Sequence, residues 1–170
     1  MVVTIDRLDR FPKTLRQQDQ LLGCIPTSVQ AVLTYHEGAP ATIRYESDTR
    51  TLDESTILEI FRKRENPWKI GFSSVKGYVL DPYIGDRYVS AVEVKPDFGE
   101  WQNSVVELVA NSIPPLISYA ANSNSHIGAV VEAGERDFKI HDPAVGDFVT
   151  KSLKELSRIR RDDILQIRPR

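Results

Sequence analysis

"HIGAVVEAGERDFKIHD", residues 126–142, is the stretch that decides the fold. Two runs rich in valine, isoleucine and phenylalanine flank Gly134, and glycine between such runs marks a hairpin turn. A turn centred on Gly134 predicts that His126 and Asp142 face each other directly. Facing residues in an antiparallel pair share a face, with Cβ atoms about 5 Å apart. The carboxylate then accepts a hydrogen bond from the imidazole, fixing its tautomer and favouring its charged form. A slip of one residue would send the two side chains to opposite faces.

Outward from the hairpin, the order of elements sets the class. Downstream, "SLKELSRI" reads as a short helix and "DDILQIR" as a closing strand. Upstream, "PPLISYA" is a short buried strand. "GEWQNSVVELVANS" is a helix with Trp101, Val105, Leu108 and Val109 on one side, and the alternating "DRYVSAVEVK" is a strand. "FSSVKGYVLD" is predicted as a short helix capped by Ser73, and "LDESTILEIFRKR" as a helix with an acidic start and a basic end. The first helix follows Cys24, with Ile25, Val29, Val32, Leu33 and His36 on one face, Pro26 in its first turn and Gly38 as its stop. Helices precede antiparallel strands, which predicts an α+β fold, not a doubly wound parallel sheet.

The chain has 170 residues with 41% hydrophobic and 27% charged, which suits one domain over 1–170 with a real core. A net charge of −2 gives no field to draw nucleic acid or anionic lipid. The single cysteine excludes an internal disulfide framework and a multi-cysteine zinc site. The opening "MVVTIDRLDRF" is too short in apolar residues for a signal peptide, and no window is long and apolar enough for a membrane span. A reducing, cytoplasmic setting is the expectation.

The lone thiol stands in "QQDQLLGCIPTSVQAVLTYH", residues 17–36. Isolated cysteines are often small buried hydrophobes. A helix N-terminus and a nearby imidazolium, however, both favour the thiolate. Cys24 opens a helix and His126 opens a strand. If the fold joins those ends, the chain holds a nucleophile, a base and an orienting carboxylate. Acyl transfer also needs donors for the developing oxyanion. The Cys24 backbone N–H can be one and an upstream amide another. Gln18 has the favoured spacing, with Gln17 and Gln20 as alternatives.

Gln18, Cys24, His126 and Asp142, in that order, resemble the papain-fold cysteine peptidases. The likeness is strongest to the bacteriocin-processing branch that removes double-glycine leader peptides. "QDQLLGCIPTSVQAVLTYH" keeps the branch's spacing from glutamine to cysteine and its proline two places after the cysteine. "VVELVANSIPPLISY", "HIGAVVEAG" and "FKIHDPAVGDFVTKSLKEL" follow its outline from Gln18 to Leu156. The resemblance implies a papain-like domain whose catalytic helix packs on a C-terminal antiparallel sheet. It further implies Cys24 as nucleophile, His126 as base and acid, Asp142 as orienter and Gln18 as oxyanion donor. The activity implied is peptide hydrolysis through a thioester, on a peptide or protein substrate, with no metal or organic cofactor. Three features depart from the branch. Ile25 stands where glycine is usual, Gly23 where many relatives carry an acid, and the branch's best-known members are fused to membrane transporters, which these 170 residues do not include. The same thioester could serve an acyltransferase or deamidase, and a relative that only binds peptides is a further alternative.

Other residues receive plainer readings. His36 is expected as a cation at the end of its helix, and His141 points away from Asp142 by strand alternation. Residues 122–126, "NSNSH", are expected as the loop that delivers His126. Trp68, Trp101, Tyr78 and Tyr83 are groove residues or core. "RIRR" with Arg168 and Arg170 is a solvated basic face.

Overall fold

The computed structural model describes residues 1–64, 66–121 and 124–170. Strand β1 (Val3–Thr4) precedes helix α1 (Cys24–Glu37), which Gly38 ends in the left-handed region at φ 75°. The predicted apolar face of α1 is buried, and so are Thr27, Ser28, Ala31 and Tyr35. A helix buried on nearly every side belongs in the middle of a domain.

A hairpin of β2 (Thr42–Tyr45) and β3 (Asp48–Thr51) follows, which the sequence reading misses. Its two-residue loop, Glu46 and Ser47, holds φ 51° and 69°. Such loops are normally signalled by Asn-Gly, and Glu-Ser carries no such signal. Helix α2 (Glu54–Arg64) packs on α1. Then α3 (Phe72–Val75), a wide turn over Lys76–Leu80 and α4 (Asp81–Ile84) make one helical run. Gly71 and not Ser73 caps it, because the Gly71 N–H donates to Ser74 Oγ at 2.8 Å.

Beyond this lie β4 (Tyr88–Val94), α5 (Phe98–Ala110), β5 (Leu116–Ala121), β6 (Asn124–Ala133) and β7 (Asp137–Asp142). The chain continues through β8 (Asp147–Ser152) and α6 (Leu153–Ile159) to β9 (Arg160–Pro169). One antiparallel sheet runs β4-β9-β5-β6-β7-β8, with β1 also paired to β6. The mixed helix and antiparallel strand content is that of an α+β fold, although β2, β3 and β4 stand among the helices. Trp101 of α5 stacks on Phe138, while Phe11, packed on Tyr35 of α1, meets His141. Residues three apart on a strand point to opposite faces, so α5 and α1 cover the two sides of the sheet. Among the described residues no helix is long and apolar enough to cross a membrane.

The hairpin register differs from the sequence expectation. Ala129 pairs with His141 and Val130 with Ile140, and a bulge then shifts the pairing to Glu132 with Lys139 and Ala133 with Phe138. The Gly134 N–H closes the turn on the Asp137 carbonyl at 2.9 Å, so the turn is centred beyond Gly134. Continued to its end, this register sets Asp142 beside Gly128, diagonal to His126 and not opposite it. A shift of two residues preserves the face. Gly128 is needed for this approach. A Cβ there would stand 2.5 Å from Ile140 Cγ2 and 2.7 Å from the His141 carbonyl oxygen.

Candidate active site

The start of α1 and the first residues of β6 border a cleft of about 720 Å³. Cys24, His126 and Asp142 all line it. The half-buried Cys24 is the first residue of α1, where unbonded N–H groups collect. His126 is the third residue of β6, so Asn124 and Ser125 lead to it as strand and not as loop; Asn122 and Ser123 lie outside the described residues.

His126 Nε2 meets Asp142 Oδ1 at 2.5 Å. The Asp142 carboxylate also accepts the Ala144 N–H at 2.9 Å. Burial works against its charge, but the hydrogen bond and charge of His126 and the Ala144 N–H outweigh it, holding the carboxyl below its ordinary value. The Tyr119 ring presents an edge-to-face contact to the imidazole, with centroids 5.6 Å apart. With Nε2 committed to Asp142, Nδ1 is the imidazole nitrogen left for a reacting group.

Burial pushes the Cys24 thiol up. The backbone N–H groups of Ile25, Ile127 and Cys24 itself pull the other way, and the Asp142 carboxylate adds to the rise. The sequence expectation of a thiol lowered by its helix start is therefore corrected, because desolvation outweighs the N–H dipoles. Burial thus favours the neutral form of the thiol.

The chain does not bring Gln18 to the cleft. Gln18 is exposed and lines a separate depression of about 520 Å³ with Arg16, Asp19, Asp53 and Arg62. Gln17 is the buried amide at the cleft wall, with Gln20 also lining it. The Gln17 N–H donates to the Pro143 carbonyl at 2.8 Å, tying this loop to the turn after Asp142. Its side-chain Nε2 donates to the Asp19 carbonyl at 2.9 Å, and its second N–H has no partner among the described residues. Spacing from the cysteine could not choose between Gln17 and Gln18, because residues 17–23 form an irregular loop without a period.

Glu54, which sequence reasoning passed over, holds that loop. It is 7% exposed, and its carboxylate accepts the Gln18 N–H at 2.7 Å and the Asp19 N–H at 2.9 Å. A Cβ on Gly23 would run into Glu54 Oε2 and stand 2.5 Å from the Asp19 carbonyl oxygen. Glu54 of α2 thus occupies the space that a side chain at position 23 would enter. Ile25, the other departure, is buried and lines the cleft.

The remaining residues sort by packing. Trp101 is fully buried, Tyr78 and Tyr83 pack against Phe61 and Tyr45, and Trp68 lines the cleft at 66% exposure. His36 is not a helix-end cation. Its Nε2 bonds the Ile167 carbonyl at 2.8 Å and burial lowers its pKa. His141 is buried on the face away from Asp142, with Nε2 on the Lys13 carbonyl at 3.0 Å.

No family model and no curated protein matches the chain. Among solved structures it is similar to a double-glycine motif protease from an AMS/PCAT transporter, solved in complex with the leader peptide. The TM-score is 0.55 at 14% identity, over 100% of both chains. A periplasmic domain of the EpsAB fusion protein of the Vibrio vulnificus type II secretion system also matches, with a TM-score of 0.35 and 13% identity. That match covers 48% of this chain and 32% of the other. The fold is papain-like, as the similarity to the double-glycine protease shows.

Proposed function

We propose that the chain is a cysteine peptidase using Cys24, His126 and Asp142. The observation that carries this reading is the 2.5 Å bond from His126 Nε2 to Asp142, in the cleft that Cys24 also lines. It orients the ring and leaves Nδ1 to exchange a proton with the thiol.

The steps follow from a neutral thiol. His126 Nδ1 takes the Cys24 proton as Sγ bonds to the carbonyl carbon of the substrate amide, and the C=O pair moves onto oxygen. The Cys24 backbone N–H and the free Nε2–H of Gln17 stabilise that oxyanion, in place of the expected Gln18. His126 Nδ1 returns the proton to the amide nitrogen, the C–N bond breaks and a thioester remains. Water then gives a proton to Nδ1 and attacks the thioester carbon. The acid product leaves and Cys24 recovers its proton. Asp142 stays ionised, stabilising the imidazolium formed on the way. The fold neighbour was captured with a leader peptide, and we infer a peptide substrate here as well.

The test is alkylation of Cys24, read by intact mass, with iodoacetamide and with a peptidyl acyloxymethyl ketone. Iodoacetamide labelling is expected to be slow at neutral pH and to rise above the ordinary thiol pKa of about 8.5, because the resting thiol is neutral. The ketone, which fills the cleft and engages His126, is expected to label wild type rapidly and His126→Ala at least tenfold more slowly. Equal ketone rates in the two proteins would overturn the assignment.

A further inference from the structure

One charged group in the cleft has no task in the chemistry above. Asp163, half-exposed on β9, lines the cleft near Ser118, Ser125 and Ile127. Its carboxylate has no hydrogen-bond or ion-pair partner among the described residues. Its neighbours are engaged otherwise: Arg160 pairs with Asp162 at 2.7 Å, and Arg161 donates to Ser125 Oγ at 3.1 Å. Asp142 is committed to His126, and no lysine or arginine is among the described residues that line the cleft. The cleft therefore presents one carboxylate with no counter-charge, between walls that exclude part of the water. Ile70, Phe72 and Ile127 supply apolar wall in the same cleft. Apolar walls beside an acid suit a lysine or arginine, whose methylene stem packs while its head stays charged.

The sheet order gives the distance to the chemistry. Strands run β9-β5-β6, Ser118 pairs with Ile127, and the irregularity between Ile117 and Tyr119 sets Ser118 opposite the stretch holding Asp163. Two strand spacings separate Asp163 from the strand of His126, about 10 Å, and an extended peptide advances about 3.3 Å per residue. We propose that Asp163 is a specificity residue selecting peptides with lysine or arginine two or three residues from the bond cut. The inference rests on the peptidase reading.

The experiment digests a mixed peptide library with wild type, Asp163→Asn and Asp163→Lys, and reads the residues around each cut by mass spectrometry. Wild type is expected to enrich lysine and arginine about tenfold at one position two or three residues from the cut, in keeping with a partly desolvated ion pair. Asp163→Asn should lose the enrichment and Asp163→Lys should replace it with aspartate and glutamate. Iodoacetamide labelling of Cys24 at the wild-type rate certifies that each variant is folded. Cuts without a basic preference, or a preference that survives in Asp163→Asn, would overturn this proposal and leave the peptidase reading standing. No cleavage of any peptide by wild type would sink both.

Discussion

Gly23 and Glu54 should behave as one unit, and a double-mutant cycle measures it. Gly23 has φ −82° and ψ −10°, which any residue adopts, so glycine is not required there for backbone freedom. It is required for space, because a Cβ would meet Glu54 Oε2, the Asp19 carbonyl and, at 2.9 Å, Gln17 Cβ. The Glu54 carboxylate makes two bonds to backbone N–H groups of the loop. Bonds to an ionised partner contribute about 1.5–3 kcal/mol each, so Glu54→Ala should cost about 3 kcal/mol. Gly23→Ala forces the carboxylate aside and overpacks the loop, with an expected cost of about 3 kcal/mol as well. In the Glu54→Ala background the nearest obstacle is gone while the Asp19 carbonyl remains at 2.5 Å, and Gly23→Ala should then cost about 1–2 kcal/mol. Urea unfolding of the four proteins gives the coupling. Additivity within about 0.5 kcal/mol would refute the reasoning, since independent sites add to that accuracy.

Four further outcomes are expected. The folded-state pKa of Asp142 is lowered, so its stabilising contribution is complete above the unfolded carboxylate value of about 3.9 and is lost as pH falls through the folded value. Melting curves between pH 5 and 2 should therefore fall more steeply for wild type than for Asp142→Asn. Asp142→Asn keeps an oxygen that can accept from Nε2–H, whereas Asp142→Ala does not, so kcat should fall about 100-fold or more in the alanine variant and less in asparagine. Replacing Glu46-Ser47, both at positive φ, with Asn-Gly should add about 1 kcal/mol; the melting temperature should rise by about 2–4 °C. Gly128→Ala should lose about 1–3 kcal/mol in urea unfolding, because Ile140 and the His141 carbonyl stand where its Cβ would go.

Much of the architecture was legible in one dimension because its signals are local. Periodicity located α1, α2 and α5, and alternation located β4, β6 and β7. Alternation also decided that His141 and Asp142 take opposite faces, while the shared face of His126 and Asp142 needed the bulge as well as the turn. The β2–β3 hairpin stayed hidden because Glu46 and Ser47 accept a left-handed turn that their types do not advertise. The turn closes beyond Gly134, and the bulge near Val131 takes back one residue of that displacement, so Asp142 ends diagonal to His126 and on its face.

The sequence by itself determined the main helices and the strands of the His126 hairpin, the α+β class and the candidate nucleophile, base and orienting carboxylate, because residue chemistry and period are written along the chain. Only the tertiary structure decided which amide reaches the cleft, Gln17 over Gln18, because the loop that carries both is held by Glu54, 36 residues further on, through the Gln18 and Asp19 N–H groups. It also decided the neutral thiol, since desolvation depends on everything packed around Cys24 and not on its neighbours in sequence. The open carboxylate of Asp163 in the cleft belongs to the same class of fact. It follows from β9 returning between β4 and β5, a pairing of distant segments that no local signal encodes.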